Sequence, residues 1–226
     1  MPVEANARGA TGDALDPPSP RDEPYLSEPE AIYARSFAVI DAETDWSGVP
    51  AELRPVVRRV VHACGMTDIV ADLAWSDDLV ARATSALRAG APVVCDASMV
   101  ASGVIRAALP AGNAVVCALD RVTAAPAGTT RSAAAMDAVG AELDGAVVAV
   151  GNAPTALFRL LELAAAGVAV PAAVIAMPVG FVGAAESKAA LAAAPPAPFL
   201  TLHGRRGGSA MTAAAVNGLA IAAGRR

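Results

Sequence analysis

The residues Ala146-Val147-Val148-Ala149-Val150-Gly151-Asn152-Ala153-Pro154-Thr155 have, in order, the pattern of a buried strand, a turn and the start of a helix. The first five form a short apolar run rich in Val, which is typical of a strand that is buried on both faces. Gly151 and Asn152 suit a turn, and Pro154 suits the first turn of a helix. A buried strand that leads directly into a helix is the repeating unit of a parallel α/β sheet.

The same pattern recurs before and after this segment. Four further apolar runs, each preceded by a segment with helical periodicity, lie at residues 92–96, 114–119, 173–177 and 199–203. The predicted helices span residues 28–42, 50–64, 76–89, 98–109, 132–143, 154–166, 184–193 and 209–223. Short apolar runs that alternate with helices predict a three-layer α/β/α sandwich around a mainly parallel, five-stranded sheet.

Charge is distributed unevenly along the chain. The net charge is −5, but residues 1–50 hold 10 acidic and 3 basic groups, whereas residues 51–226 hold 12 acidic and 14 basic groups. Residues 1–24 are rich in Pro, Asp, Glu and Gly and are predicted to form a disordered acidic leader, followed by a single domain over residues 25–226. A slightly basic body permits a small anionic ligand, and the lack of a dense basic stripe gives no support to nucleic-acid binding.

The sequence predicts neither a membrane span nor a secreted protein. Residues 163–185 carry no charge, but their three glycines and two prolines divide them into a helix end, turns and a buried strand. The N-terminal residues lack the pattern of a signal peptide. The three cysteines form no CxxC motif and no Cys/His metal spacing, so we expect buried free thiols in a cytoplasmic protein.

The turns after the apolar runs form the candidate binding region, because ligands of parallel sheets bind beyond the carboxyl ends of the strands. Four such turns lie at residues 96–99, 151–155, 178–183 and 203–209, and three of them contain glycine and lead into helix N-termini, which favour anions. Glycines in such turns also serve folding alone. None of the turns matches GxxxxGK[ST] or GxGxxG, so nucleotide binding is only weakly supported.

His62, one of two histidines, lies at the end of a predicted helix, shortly before Gly65. Arg58 and Arg59 precede it by four and three residues, so all three lie on roughly the same helix face. This pattern suits an anion-binding site with a proton donor, but the spacing alone favours a helix-end histidine beside solvated arginines. His203, at the end of the last run, could line the same crevice. No GxSxG motif and no activated cysteine are present, which disfavours acyl transfer and leaves proton-assisted chemistry.

Several stretches, in this order along the chain, resemble the precorrin-8X methylmutase family of cobalamin biosynthesis. Two of them are Val61-His62-Ala63-Cys64-Gly65 and residues 178–188, which end in Glu186-Ser187-Lys188. The others lie at residues 31–37, 95–97, 99–100, 130–134, 150–157 and 207–210. The resemblance covers about residues 30–222. It implies a flavodoxin-like parallel fold and a homodimer with active sites near the subunit interface.

The resemblance also implies an isomerase that moves a methyl group from C-11 to C-12 of the precorrin-8X macrocycle and yields hydrogenobyrinate. It places the catalytic acid at His62, which would protonate or hydrogen-bond the macrocycle. The residues expected to bind the substrate are Ser36, Arg59, Thr130, Arg131, Asn152, Gly180, Gly207 and Gly208. Arginines and backbone amides suit a macrocycle with many carboxylates. No cofactor and no metal ion are implied for the protein, and the sequence does not distinguish a metal-free from a cobalt-containing substrate.

Two other functions fit the same sequence. A non-catalytic protein that carries or sequesters a corrinoid would need the same pocket. A flavin- or nucleotide-binding α/β protein is suggested by the sheet and the glycine-containing turns alone.

Overall fold

The computed structural model describes residues 25–224, and the predicted acidic leader at residues 1–24 lies outside the described residues. Among the described residues, 25–35 and 36–224 belong to two separate units. Within the described part of the first unit, residues 29–35 are helical and begin helix α1 (Pro29–Glu43). The domain boundary predicted between residues 24 and 25 stays a prediction.

Helices and strands alternate after α1 and α2, as the sequence predicts. In chain order the further elements are α2 (Arg54–Cys64), β1 (Leu73–Trp75), α3 (Leu79–Arg88), β2 (Val93–Cys95), α4 (Ser98–Gly103), β3 (Val115–Cys117), α5 (Arg131–Ala138), β4 (Val147–Val150), α6 (Pro154–Ala165), β5 (Ala173–Ala176), α7 (Ala184–Ala193), β6 (Phe199–Leu202) and α8 (Ser209–Gly224).

The strands form one mixed sheet in the order β1-β6-β5-β4-β2-β3. Strands β2 to β6 pair in parallel, whereas β1 pairs antiparallel to β6 with Leu73 opposite Leu202. The described sheet therefore has six strands, and the prediction of five strands is corrected. Strand β1 leaves little trace in the sequence because its three apolar residues lie between Asp72 and Ser76 and so form no longer apolar run.

Each central strand contributes to two cores. In β4, Val147 and Ala149 belong to the core under α2, α3, α4 and α8, whereas Val148 and Val150 belong to the core under α5, α6 and α7. All four side chains are fully buried. Because successive side chains of a strand point to opposite faces, a continuous apolar run is what a sheet covered on both faces requires. The predicted three-layer arrangement is confirmed.

Helix α4 ends earlier than predicted, and a separate 3-10 turn covers Arg106–Ala108. The side chain of Asn217 on α8 explains the break. Its amide donates to the Gly103 carbonyl at 2.9 Å, and its oxygen accepts the Ile105 N–H at 2.8 Å. Since this side chain satisfies backbone groups that a continuing helix would pair, the prediction of one helix over residues 98–109 is wrong.

Candidate functional site

Asp96 occupies the crevice between the carboxyl ends of β2 and β4, where the winding of the sheet reverses and ligands commonly bind. Its side chain is buried, and one oxygen accepts the Gly151 N–H at 2.9 Å. The other accepts the N–H groups of Asn152 and Ala153 at 2.9 and 2.8 Å. Burial raises the pKa of Asp96, while these hydrogen bonds act to lower it. The carboxylate of Asp96 already accepts hydrogen bonds from the backbone N–H groups before α6. These N–H groups are therefore not available to bind the phosphate of a nucleotide.

Helix α2 presents His62 on its exposed face. Four valines on the opposite face, at positions 56, 57, 60 and 61, are buried and fix the orientation of the helix. The helix ends at Gly65, which adopts a left-handed conformation (φ 68°) and donates its N–H to the Val61 carbonyl. The predicted glycine cap is therefore confirmed, and His62 lies in the last turn of the helix.

Ser36, Phe37, Arg58, Arg59 and His62 together form what we call the His62 cluster. The hydroxyl of Ser36 lies 3.0 Å from Nδ1 of His62. The Phe37 ring lies beside the imidazole, with 5.3 Å between ring centroids and 32° between the planes. The hydrogen bond and the ring contact restrict rotation of the imidazole, so the histidine is oriented before any ligand binds.

Two guanidinium groups flank the same phenyl ring. The Cζ atoms of Arg58 and Arg59 lie 5.8 and 6.0 Å from the Phe37 ring centroid, within the range of cation–π contacts. Arg58 also forms a salt bridge with Asp41 at 2.8 Å. A histidine, a hydroxyl and two cations are thus gathered on one surface, which suits an anionic ligand that accepts a proton or a hydrogen bond.

Replacing Ser36 with Ala is expected to lower turnover about 5-fold, because the imidazole loses the partner that orients it and a hydrogen bond of this kind contributes about 1 kcal/mol. Steady-state kinetics would measure the effect. Ser85→Ala is the matched control, since Ser85 is an exposed serine on α3. A wild-type rate in Ser36→Ala would show that the serine does not orient His62.

The turn between β6 and α8, residues 203–208, contains two arginines with different roles. Arg206 donates to the carboxylates of Asp68 and Asp72, both at 2.6 Å. Those aspartates follow α2 by a few residues, so Arg206 ties the turn to the segment after His62. Arg205 is exposed, and its Cζ lies 5.4 Å from the ring centroid of Phe181. The sequence does not show which of the two arginines forms salt bridges, because that depends on where the fold places Asp68 and Asp72.

Three predicted ligand-binding glycines, Gly180, Gly207 and Gly208, lie where two turns touch. Gly180 donates its N–H to the Arg205 carbonyl at 3.2 Å, and Gly208 donates to the Met177 carbonyl at 2.7 Å. A Cβ on Gly207 would lie 2.2 Å from the Met177 oxygen. The turn after β5 and the turn after β6 are therefore in direct backbone contact, and that contact requires glycine at position 207.

Replacing Gly207 with Ala is expected to destabilise the protein by about 3 kcal/mol, because the added methyl group forces the two turns apart. Thermal and urea denaturation would measure the loss. Gly204→Ala is the control, since Gly204 has a positive φ of 79° but no atom within 4 Å of an added Cβ. Equal losses in both variants would mean that backbone conformation, not the close contact, determines the requirement.

Thr130 and Arg131 lie at the start of α5, on the other face of the sheet from α2. Thr130 caps the helix by accepting the Ala133 N–H, and its hydroxyl donates to Thr155 at 2.8 Å. Both threonines line a cleft of about 550 Å³ between α5 and α6. Arg131 is exposed. The predicted residues thus fall into separate groups, and the group containing His62 includes Ser36 and Arg59.

The thiols lack the properties of nucleophiles. Cys95 and Cys117 are buried and Cys64 is half-buried, and all three are free. Burial raises the pKa of each thiol, to about 12 for Cys95. At neutral pH they are protonated, which agrees with the prediction of free, unreactive cysteines.

Residues 25–224 contain neither a candidate membrane span nor a candidate metal site. No helix in that range has the length and apolar character needed to cross a bilayer. Across the same residues, no group of three or more His, Cys, Asp or Glu side chains is placed to hold a metal ion.

Comparison with known proteins identifies the family. The sequence profile of a family described as precorrin-8X methylmutase matches residues 31–222. "Precorrin-8X methylmutase" from Pseudomonas aeruginosa is 52% identical over 201 residues, covering 87% of this chain and 97% of that protein. A protein of the same description from Sinorhizobium is 54% identical, covering 87% and 96%. "Cobalt-precorrin-8 methylmutase" from Priestia megaterium is 37% identical over 205 residues, covering 88% and 91%.

A solved structure agrees with this result. The crystal structure of precorrin-8X methylmutase from Thermus thermophilus superposes with a TM-score of 0.79 at 40% identity, covering 86% of this chain and 96% of that one. The profile match and these relatives extend over most of the chain, from α1 into α8. The chain belongs to the precorrin-8X methylmutase family.

Proposed function

We propose that this protein is an isomerase that moves a methyl group from C-11 to C-12 of the precorrin-8X macrocycle to give hydrogenobyrinate in cobalamin biosynthesis. Family membership supports the reaction. The observation that carries the assignment of the site is the His62 cluster, in which Ser36 holds Nδ1 of the histidine at 3.0 Å. An oriented proton donor between cations is what a rearrangement of an anionic macrocycle requires.

In the proposed reaction, His62 donates a proton or a strong hydrogen bond to the macrocycle. The resulting withdrawal of electron density lets the methyl group migrate to the neighbouring carbon. Because an isomerisation leaves the atom count unchanged, the proton must return once the methyl group has moved, and the same imidazole can accept it. Ser36 contributes by keeping the ring in one orientation through both proton movements.

The substrate carboxylates are proposed to bind to Arg59 of the His62 cluster, to Arg131 with Thr130, and to the side-chain amide of Asn152. Gly180, Gly207 and Gly208 are proposed to line the site, since the Gly180 and Gly208 N–H groups already donate to carbonyls of the protein. Arg131 is exposed at a helix start, which leaves its guanidinium accessible to an anion. The contribution of Gly207 and Gly208 is better explained as a rigid turn than as free amides, because the Gly208 N–H already donates to Met177.

A metal-free substrate is favoured over a cobalt-containing one. The relatives described as precorrin-8X methylmutases are 52% and 54% identical to this chain, whereas the cobalt-precorrin-8 methylmutases from Priestia megaterium and Synechocystis are 37% and 35% identical. The protein itself is proposed to need neither a cofactor nor a metal ion.

A homodimer with its active sites near the subunit interface is proposed on two grounds. The family resemblance implies it, and the His62 cluster lies on a surface, where a second copy could enclose the ligand.

Free thiols support a reducing cytoplasm as the location. The five parallel strands follow the order second, first, third, fourth, fifth, which supports the flavodoxin-like description.

An absorbance time course with purified protein tests the reaction. Methyl migration changes the conjugation of the macrocycle, so metal-free precorrin-8X should convert to the spectrum of the corrin product. Parallel reactions use the cobalt-containing substrate and a no-enzyme control. Faster conversion of the metal-free substrate supports the proposal. Faster conversion of the cobalt-containing form would show that the protein prefers that substrate instead.

Tight binding without conversion of either substrate would favour a corrinoid carrier. A yellow flavin spectrum in the purified protein, or thermal stabilisation by nucleotides, would favour a nucleotide-binding protein instead. The carboxylate of Asp96 at the start of α6 speaks against that last alternative.

A further inference from the structure

Lys188 is the only lysine in the sequence, and its side chain is fully buried on α7. Burial of an ammonium group is costly unless charges or hydrogen bonds compensate it. Here burial lowers the pKa of Lys188 from 10.5 to about 8. A leucine or methionine at this position would avoid this cost. Packing alone therefore does not explain why a lysine is buried here.

The ammonium group has one hydrogen-bond partner among residues 25–224. Its Nζ donates to the backbone carbonyl of Arg206 at 2.5 Å, and no carboxylate of the described chain forms a salt bridge with it. The lysine therefore does not serve as half of a buried ion pair. Its contact is with the backbone of the turn between β6 and α8.

That carbonyl lies at the centre of the turn. The Arg206 side chain extends to Asp68 and Asp72. The preceding residue, Arg205, accepts the Gly180 N–H with its carbonyl and stacks its guanidinium on Phe181. The hydrogen bond from Lys188 thus holds, from inside the protein, the peptide group that joins Arg206 to Gly207.

The exposed side of the turn has the chemistry that a carboxylated, flat ligand requires. Phe181 is 86% exposed and Val182 is 88% exposed, which is unusual for large apolar side chains. Arg205 lies over the Phe181 ring and, unlike Arg206, forms no salt bridge within the described chain. An aromatic ring and an available guanidinium can contact the face of a macrocycle and one of its carboxylates at the same time.

We propose that Lys188 is a positioning residue for substrate binding, which holds the turn so that Arg205 and Phe181 contact the macrocycle. This inference rests on the proposed function. Lys188 itself does not touch the substrate; Arg205 binds a carboxylate, and Phe181 packs against the ring system.

The lowered pKa of Lys188 predicts how the stability of the protein depends on pH. Between pH 8 and 10.5 the unfolded chain holds a proton on Lys188 that the folded protein has lost, so this residue makes the free energy of unfolding rise with pH across that window. Lys188→Met removes this contribution. The melting temperature of the variant minus that of wild type is expected to be highest near pH 7 and to fall toward pH 10. A constant difference would show that the lysine is not buried as an ammonium group.

Steady-state kinetics on the full chain tests the positioning role. Lys188→Met and Arg205→Ala are each expected to raise KM for precorrin-8X about 10-fold with little change in kcat, as for loss of one charge-assisted contact. The double variant is expected to show about the same 10-fold rise, because both changes remove the same interaction. An additive, roughly 100-fold rise, or an unchanged KM in Lys188→Met, overturns the proposal. If the Met variant does not fold, Lys188→Gln replaces it in the same measurements, with the same expected rise in KM.

Asn113→Leu is the control for loss of a buried polar side chain. Asn113 is buried and donates to the carbonyls of Leu87 and Ala91 near the start of β3, at the opposite edge of the sheet. It is expected to lower the melting temperature without changing KM. An inactive wild type would overturn the proposed function and this inference together, whereas an active wild type with a normal KM in Lys188→Met overturns this inference alone.

Discussion

Replacing His62 with Ala is expected to lower kcat by about 10²- to 10⁴-fold, the range that a positioned general acid contributes. The loss should fall on kcat and not on substrate affinity, because Arg59, Arg131 and the neighbouring turns would still hold the carboxylates. Single-turnover absorbance measurements with precorrin-8X, together with a binding titration, would separate the two effects.

The other histidine provides a matched control. His203 is exposed at the end of β6, and its backbone N–H donates to the Asp72 carbonyl at 2.8 Å. Its side chain is not part of the His62 cluster, so His203→Ala is expected to retain turnover. Full activity in His62→Ala, or an equal loss in His203→Ala, would assign the proton transfer elsewhere.

Replacing Asp96 with Ala is expected to lower the free energy of unfolding by about 4 kcal/mol, the largest stability loss predicted here. Three backbone N–H groups would lose their acceptor, and the Gly151 N–H is buried, so water cannot easily replace the carboxylate. Each unsatisfied buried donor costs about 1–3 kcal/mol. Urea denaturation monitored by circular dichroism would measure the change, with an accompanying fall in melting temperature of about 8–16 °C.

Asp144→Ala is the control for this prediction. Asp144 also accepts a backbone N–H, that of Val170 at 3.0 Å, but it is exposed and water can replace it. Its loss is expected to cost less than about 1 kcal/mol. Similar effects of the two substitutions would mean that Asp96 is not essential for the start of α6.

The parallel part of the fold was predictable because it depends on local signals. A sheet covered on both faces needs continuous apolar runs, and β2 to β6 each coincide with one. Strand β1 was missed because Asp72 and Ser76 flank its three apolar residues, so only its pairing with β6 shows that it is a strand. The end of α4 was missed for a related reason: Asn217, more than 100 residues later in the chain, supplies the hydrogen bonds that end it.

The candidate site was predictable only in part. The sequence placed His62 and Arg59 on one helix face, and the family resemblance added Ser36. The hydrogen bond between Ser36 and His62 joins α1 to α2 and connects residues that are 26 positions apart in the chain. The positions of the two residues in the sequence do not reveal this contact. The burial of Lys188 was also hidden, because a lysine in a helix is normally predicted to be exposed, and its contact with the Arg206 carbonyl depends on the tertiary fold.

The burial of the only lysine has a practical consequence for chemical modification. Acylating reagents that attack side-chain amines have no accessible lysine target in the folded protein, since Lys188 is fully enclosed. Modification of this residue must wait until α7 and its neighbouring turn separate, so the rate at which peptide mapping detects acylated Lys188 reports how often that region opens. A ligand that tightens the turn would slow the modification, which makes a single amine a built-in reporter of occupancy.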